Sequence, residues 1–442
     1  MTSWLGMCFA LGPALAAPMQ HTDGQAPAPD LLALSRARTV SGTAWQPEST
    51  PVYGLHLMAG DLMVMLRGSI FLGYDHQSGR RGDDALTRIN WLMLMADHPL
   101  AGGEVGARLM LSLEPLTVGS EGYPLLLQTG ETDRGRRLVD HQHPHDLLME
   151  TALVYTRPLG DSLAVQIYGG PVGEPALGPP AFLHRASAAA DPLAPLGHHW
   201  QDSTHISFGV VTAGVFGRFF KLEGSWFNGR EPDEERYDLD LRGFDSYAGR
   251  LSLHLMPWLV LQGSYGYLGA PEVLEPGIAV HRVTASASVD TPLEHGGNLA
   301  ALLLWGHNHP IGRPMSDAFL LEWDLTLSGR HELFGRFEYV RKSAEELVLP
   351  ALPQDRLLGV SSLALGVGHN FRPIASLEPG VGIQGSIHPL GDALADAYGS
   401  SVPYGVMVYL RLRTARAIAA EHEHHDQAPA RTDHAGHGAH GP

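Results

Sequence analysis

Cysteine is nearly absent from this 442-residue sequence, which contains only Cys8. A disulfide framework and a cysteine-based zinc site are therefore excluded. Any bound metal ion would need histidine, aspartate, glutamate or methionine as its ligands. Positive charge is also scarce, because 30 Lys and Arg residues stand against 47 Asp and Glu, for a formal net charge of −17. This balance argues against a nucleic-acid partner and favours a protein that attracts cations.

Long apolar runs are missing beyond the N-terminus, so no later segment offers the roughly 18 apolar residues of a membrane helix. The first residues resemble a secretory signal: an apolar run from Trp4 to Leu15 includes the small-residue motif Ala14-Leu15-Ala16. No Lys or Arg precedes that run. We nevertheless expect cleavage near Ala16 or Ala17.

Alternation of apolar and polar residues is the dominant pattern after about residue 52. In residues 319–328 the apolar positions carry Phe, Leu and Trp, while Glu322 and Asp324 lie between them. Residues 104–113, 220–226 and 332–339 alternate in the same way. An apolar face opposite a face with charges of both signs is typical of a membrane β-strand, with lipid outside and a polar lumen inside. We expect the mixed lumen charges to pair across the wall.

The turn residues between these segments predict about sixteen strands, most near the 9–11 residues that a tilted membrane strand needs. They are expected near 61–74, 88–97, 102–113, 147–157, 163–170, 204–214, 217–227, 244–256, 258–268, 279–290, 297–306, 317–328, 331–341, 357–371, 376–388 and 402–413. Short turns alternate with long loops, as in outer-membrane barrels. The fold class is therefore all-β, a transmembrane antiparallel β-barrel with long histidine-containing loops on one side. A soluble β-sandwich or propeller is the alternative.

The last strand, Tyr404 to Leu412, resembles the closing strand that the barrel-assembly machinery recognises. That machinery and outer-membrane lipid are the expected partners, and nucleic acid is not. The location is the outer membrane of a Gram-negative bacterium, with both chain ends on the periplasmic side. The expected organisation is a signal peptide at 1–17, an irregular leader at 18–51, the barrel at 52–413 and a disordered His-rich tail at 414–442.

The most distinctive stretch, Leu138 to Glu150, includes His141, His143, His145 and Asp146. Neutral imidazole is the commonest transition-metal ligand, and carboxylates orient it. Pro144 fixes the backbone and removes an amide donor, so the stretch is a shaped loop. Its histidines are either metal ligands or hydrogen-bonding anchors of the loop.

Two further histidine groups would face the same side of the barrel. His198, His199 and His205 lie at the end of the loop 171–203, and His307 and His309 follow a later strand. If the long loops fold inward, these groups would converge at one constriction. Asp140, Asp146 and Asp202 would then be outer partners of the imidazoles.

The tail carries six of the 25 histidines, including His422, His424 and His425. Low-complexity histidine tracts bind copper, zinc or nickel loosely, and a chain of Gly, Ala and His does not form a core. We expect this tail to collect metal ions in the periplasm, or to be a disordered solubilising segment.

The chain resembles a poorly characterised family of bacterial outer-membrane β-barrels that is often associated with resistance to copper or other heavy metals. The segments that carry the resemblance are 122–132, 138–150, 173–180, 194–205 and 223–234, and it extends over roughly residues 40–413. The resemblance implies a barrel linked to metal homeostasis. It implies no catalytic residues, because none are established for that family.

Our leading hypothesis is a barrel that binds or passes copper or zinc ions. The expected metal ligands are His141, His143, His145, Asp146, His198, His199, His205, His422, His424 and His425. No other cofactor and no enzymatic activity are expected. The alternatives are a general porin or structural barrel without a metal role, and a membrane-embedded hydrolase in which Ser203 pairs with His205 or His199.

Overall fold

The structure, a computed structural model, describes residues 30–416. The predicted signal peptide at 1–17 lies outside the described residues, and so do His422, His424 and His425 of the tail. The helices of the described part are α1 to α4, at Leu31–Arg38, Glu114–Thr117, His198–Gln201 and Asp392–Tyr398. None of them is long and apolar enough to cross a membrane.

Nineteen strands are present in residues 30–416. In chain order they are β1 Leu55–Ala59, β2 Leu62–Gln77, β3 Asp84–Leu100, β4 Gly103–Leu111, β5 Tyr123–Asp133, β6 Arg136–Gln142, β7 Leu148–Pro158, β8 Ala164–Gly173, β9 Ser207–Phe216, β10 Phe220–Phe227, β11 Ser246–Met256, β12 Leu259–Leu268, β13 Val280–Pro292, β14 Asn298–Pro310, β15 Ser316–Leu327, β16 His331–Ser343, β17 Leu357–Asn370, β18 Leu377–Ile387 and β19 Tyr404–Thr414.

Sixteen of these strands form one closed antiparallel barrel. Each pairs with its neighbours along the chain, and β19 pairs with β2 from Gly405↔Gln77 to Arg413↔Ser69, which closes the ring. The prediction of an all-β barrel is confirmed, and most strand limits fall within a few residues of the expected ones. The short strand β1 pairs only with the start of β2, while β5 and β6 form a separate hairpin inside the loop between β4 and β7.

The outer face of the barrel is a band of exposed apolar side chains, including Leu153, Ile167, Leu251, Leu303 and Leu365. Exposed aromatic rings lie toward both ends of this band. Tyr74, Trp226, Tyr247, Phe319 and Tyr404 are near the end with the long loops, and Phe219, Trp258 and Phe371 are near the end with the short turns. Leucine facing outward between aromatic girdles is the surface of a barrel embedded in lipid.

Charged side chains on the inner face pair with one another, as the sequence pattern predicts. Glu223 lies 3.0 Å from Lys221 and 3.1 Å from Arg250, measured between carboxylate oxygens and side-chain nitrogens. The carboxylate of Glu322 lies 3.3 Å from the Nε of Arg336. The pair of Lys221 and Glu223 lies within β10, while Glu223 with Arg250 and Glu322 with Arg336 join adjacent strands.

Residues 39–46 of the N-terminal segment enter the lumen from the short-turn end. The Nζ of Lys221 donates to the carbonyl of Thr43 at 2.7 Å, and Arg250 donates to the hydroxyl of Thr43 at 2.9 Å. A side chain at Gly42 would collide with Glu174, because a Cβ atom there would lie 2.6 Å from the Cβ of Glu174. Much of the segment expected as an irregular leader at 18–51 is therefore helix α1 followed by chain buried in the lumen. Its contacts are with residues far away in the sequence, such as Lys221 and Arg250, so the local sequence did not predict them.

Candidate functional site

The hairpin β5–β6 folds into the lumen and positions the first pair of histidines. Leu126 and Leu127 of this hairpin are fully buried in the main hydrophobic cluster of the lumen. Asp140 accepts hydrogen bonds from the amide of Leu127 at 2.7 Å and the hydroxyl of Tyr398 at 2.6 Å. Asp140 therefore fixes the hairpin, rather than serving as the outer partner of an imidazole.

The loop between β8 and β9, residues 174–206, crosses the lumen and positions the second group. Arg185 joins it to the barrel wall, with its guanidinium 2.7 Å from Glu322 and 2.8 Å from Asp202 of the same loop. The indole of Trp200 donates to the hydroxyl of Ser316 at 2.7 Å. These contacts fix the backbone on either side of His198, His199 and His205.

Five histidine rings from these two segments form a closed circle, which we call the histidine ring. Its members in order are His143, His145, His205, His198 and His199. The centroids of consecutive imidazoles are 5.2 to 6.3 Å apart. The expected convergence of the first two histidine groups is therefore present in the structure.

Each imidazole of the histidine ring has its Nδ1 atom held by an acceptor. The Nδ1 of His145 is 2.8 Å from Glu114, that of His198 is 2.8 Å from Asp202, and that of His199 is 3.1 Å from Glu231. The Nδ1 atoms of His143 and His205 lie 3.2 and 3.0 Å from the backbone carbonyls of Pro144 and Asp202. An acceptor on one ring nitrogen is the arrangement that orients the other nitrogen toward a metal ion.

The opposite nitrogen, Nε2, is buried and has no hydrogen-bond partner in His143, His145, His199 and His205. The Nε2 of His143 lies 3.2 Å from Glu131, although not in line for a hydrogen bond. Buried polar atoms normally have partners, so four such atoms around one cavity need an explanation. Two imidazoles that share one metal ion have centroids about 5 Å apart, close to the shortest spacings in this ring.

The ring nitrogens do not yet converge on one point. In residues 30–416 no three of the five imidazoles bring ligand atoms within 4.8 Å of one another. One member of the histidine ring, His199, has its ligand atom within 4.8 Å of the carboxylate oxygens of Glu231 and Glu272, which lie equally close to each other. Binding of an ion by three imidazoles would therefore require some of the rings to rotate.

The cavity beside the histidine ring is lined by more acidic than basic side chains, although burial raises the pKa of Glu131 to about 7. It has an empty volume of about 270 Å³, and its charged lining is Glu131, Asp146 and Glu231 against the single guanidinium of Arg236. Burial alone would lower the pKa of His199, but the carboxylate of Glu231 outweighs this effect and raises it to about 9. Glu114 likewise raises the pKa of His145 against the effect of burial. In the absence of metal, the proton on His199 at pH 7 compensates the charge of Glu231.

The pKa values of the other three members of the histidine ring, His143, His198 and His205, are lowered. Burial holds the pKa of His143 and His205 well below the usual value, and nearby charged groups lower it further. Burial also lowers the pKa of His198, despite the carboxylate of Asp202 beside it. These three imidazoles are neutral at pH 7, the state in which histidine binds metal ions.

Gly130 lies against the imidazole of His199 in the histidine ring. Its φ is +118°, and a Cβ atom there would lie 2.0 Å from the Nε2 of His199. Only glycine permits this backbone conformation and this approach. A side chain at position 130 would displace the imidazole of His199 from Glu231.

Some of the expected ligands lie elsewhere. His141 is outside the ring, partly exposed, with its Nε2 3.7 Å from Asp83. Asp146 lines the cavity, but its carboxylate is 3.2 Å from the guanidinium of Arg236. His307 belongs to β14 rather than to a loop, and its Nδ1 lies 2.9 Å from Asp317. His141 lies within β6, whereas His143 and His145 follow the end of that strand, so the alternation of the strand does not extend to them.

Asp202 holds His198 as the sequence predicts, but the other two carboxylates that hold the ring, Glu114 and Glu231, were missed by sequence reasoning. Glu114 and Glu231 lie in different loops, 31 and 32 residues from the histidines that they contact. Neither belongs to a metal-binding motif. Glu231 lies in the 223–234 segment, one of those that resemble the barrel family, and this was the only available signal.

Ser203 does not form the serine–histidine pair of the hydrolase alternative. Its hydroxyl donates to Glu231 at 2.8 Å and accepts from Arg282 at 2.9 Å. The Nδ1 of His205 is bound to the carbonyl of Asp202 instead. The hydroxyl of Ser203 therefore has a carboxylate, rather than an imidazole, as its acceptor.

A larger cavity leads to the ring from the long-loop end. Its empty volume is about 960 Å³, and Glu131 and His199 line both this cavity and the smaller one. Acidic side chains are prominent in its lining, including Glu272, Glu275 and Glu345. Two members of the group formed by His199, Glu231 and Glu272 line this cavity, namely His199 and Glu272.

No protein-family profile and no curated protein matches the chain. Among solved structures, OmpF of Salmonella typhi in complex with daunomycin is similar over 81% of this chain and 100% of its own, with 7% identity and a TM-score of 0.52. An anion-selective porin from Comamonas acidovorans covers 80% of this chain and 99% of its own, with 12% identity and a TM-score of 0.49. The chain thus has the porin fold, a closed barrel of sixteen antiparallel strands.

Proposed function

We propose that this barrel binds a transition metal ion, copper or zinc, at the histidine ring inside its lumen. The observation that carries the proposal is the set of five imidazoles whose Nδ1 atoms are all held by acceptors, while four Nε2 atoms are buried without a partner. Imidazole suits both copper and zinc, so ligand type does not choose between them. The excess of carboxylates in the adjoining cavity also favours a cation.

The entry route would begin at the long-loop end. The cavity there is lined by more acidic than basic side chains, and its residues His199 and Glu272 form a group of possible ligands with Glu231. Neutral imidazoles of His143, His198 and His205 lie next. A bound ion would replace the proton that His199 carries, so binding at pH 7 should release about one proton.

The test is calorimetric titration of the full-length folded barrel with Zn²⁺ and Cu²⁺. The six tail histidines should be changed to Ala in every sample, because they would bind metal in any case. We expect stoichiometric binding that weakens at least tenfold in a His143→Ala, His198→Ala double variant. His307→Ala is the matched control, since His307 also lies beside a carboxylate but outside the ring. Binding that is absent, or equal in all three proteins, would rule the proposal out.

Passive passage of small solutes is the second candidate, and the likeness of the fold to OmpF favours it. Three cavities with empty volumes of about 910 to 960 Å³ lie within the barrel. This function predicts solute flux in liposomes that Zn²⁺ does not change. A flux that Zn²⁺ reduces in the parent protein, but not in the double variant, would assign the lumen to metal instead.

A further inference from the structure

Five methionines form a buried group on the inner side of β2, β3, β4 and the start of β7, which we call the methionine patch. They are Met65, Met93, Met95, Met110 and Met149. Met65 is directly opposite Met95 in the β2–β3 pairing, and Met93 is directly opposite Met110 in the β3–β4 pairing. The inner face of a membrane barrel is normally polar, so a cluster of thioethers there is unusual.

His184 of the loop 174–206 points into this patch. Its Nε2 lies 3.3 Å from the Sδ of Met110, and its ring packs edge-on against Trp91 at 4.7 Å between centroids. Its Nδ1 is buried and has no partner. Nitrogen and sulfur atoms bound to one ion at about 2.0 and 2.3 Å are about 3.5 Å apart at a tetrahedral angle, so the observed contact has the spacing of two ligands.

The ligand atoms, rather than the surrounding charge, indicate which ion would bind. The cavity beside Met65 and Met95 has charges of both signs in its lining, namely Arg36, Arg67, Arg108, Asp97 and Glu104. Soft thioether ligands prefer Cu(I) to the harder divalent ions.

We propose that the methionine patch and His184 form a second metal site, specific for a soft monovalent ion such as Cu(I) or Ag(I). The site does not depend on the histidine ring and stands even if that ring binds nothing. The main ligands are His184, Met110 and Met93, with Met149 adjacent.

Packing is the competing explanation, because methionine fills irregular gaps in apolar clusters. The patch does contact Val172, Ile206 and Phe208. Leucine has nearly the same volume as methionine and usually replaces it at small cost. Met→Leu substitutions therefore keep the packing and remove only the sulfur.

The experiment uses Ag⁺, which needs no reductant, on the full-length barrel with the tail histidines changed to Ala and Cys8→Ser. Silver binding is measured by titration in the presence of saturating Zn²⁺, and sulfur neighbours of silver by X-ray absorption. We expect a Met93→Leu, Met110→Leu double variant to lose affinity at least tenfold, with a smaller loss in His184→Gln. Met407→Leu is the control, since Met407 is equally buried but lies in another cluster.

The inference is overturned if the parent protein binds no Ag⁺, or if the double variant binds Ag⁺ as tightly as Met407→Leu does. Zinc titration of the same proteins separates the two metal proposals. The Met→Leu variants should bind Zn²⁺ normally. The His143→Ala, His198→Ala variant should keep its silver site.

Discussion

Single residues determine how the two inserted segments meet inside the barrel, and Glu174 is the clearest case. It begins the loop 174–206, packs against Gly42 of the N-terminal segment and is buried. Burial raises the pKa of its carboxyl to about 8, although Arg250 and a hydrogen bond from Ser41 oppose the shift. Glu174 is therefore mostly protonated at neutral pH and ionises only in alkaline solution.

A raised carboxyl pKa in the folded state makes stability depend on pH. Between the usual pKa of 4.5 and the folded value of about 8, the folded protein binds more protons, so its stability falls as pH rises. We expect Glu174→Gln to match the parent protein near pH 5 and to be more stable at pH 9, by roughly a few kcal/mol, since one pKa unit is about 1.4 kcal/mol.

Denaturant midpoints of the folded barrel in detergent, measured at pH 5 and 9, test this prediction. Glu121→Gln is the control, because Glu121 is exposed on the loop before β5. Equal pH dependence of the Glu174→Gln variant and the parent protein would show that Glu174 ionises normally.

At the scale of elements, the loop 174–206 behaves as a structured part of the lumen because Arg185 neutralises two buried carboxylates. Replacing Arg185 by Met leaves Asp202 without its guanidinium and removes one of the two cations beside Glu322. Breaking a buried ion pair on one side costs about 3–5 kcal/mol. We expect the loop to open locally in Arg185→Met while the barrel strands stay intact.

Hydrogen exchange of the loop amides measures this opening directly. Exchange in residues 182–205 should accelerate at least a hundredfold, with little change in β12 or β16. Arg134→Met should have no effect, since Arg134 and Glu121 form an exposed ion pair and such pairs contribute little. Unchanged exchange in Arg185→Met would mean that packing alone holds the loop.

The strands were predictable from sequence, and the inserted segments were not, for a physical reason. Alternation in a barrel strand is local, because lipid and lumen impose opposite polarity on neighbouring residues. Residues 259–268 were expected as a strand within one residue of the observed limits. The position of Glu231 beside His199 depends on two loops folding inward, and no pattern within either loop records it.

The histidines were partly predictable because their type is rare and their chemistry specific. His143 and His145 could be singled out from one dense stretch, yet His141 from the same stretch lies outside the ring. The methionine patch escaped notice, because alternating methionines in β3 fit the expected pattern of a lipid-facing strand. Their inward direction became visible only from the strand register.

At the scale of the whole molecule, the lumen contains protein from both ends. The segment 39–46 comes from the short-turn end and the loop 174–206 from the long-loop end, and Lys221 and Arg185 attach them to the wall. We therefore expect a small single-channel conductance for the parent protein in planar bilayers. Deletion of residues 30–53 should increase it severalfold, because one of the segments that fill the lumen is removed.

Conductance of the deletion variant should be compared with that of Lys221→Met, which loses only one attachment. We expect the latter to fluctuate between closed and open levels. A large, steady conductance in the parent protein would contradict the arrangement of the lumen described above.

The most direct measurement is anomalous X-ray diffraction at the zinc edge from crystals of the barrel grown with Zn²⁺. The account predicts a peak inside the lumen, within about 2.1 Å of imidazole nitrogens of the histidine ring. It also predicts that this peak disappears in the His143→Ala, His198→Ala variant. Peaks confined to the surface, such as the acidic group of Asp233, Asp238 and Asp240, with none in the lumen, would contradict it.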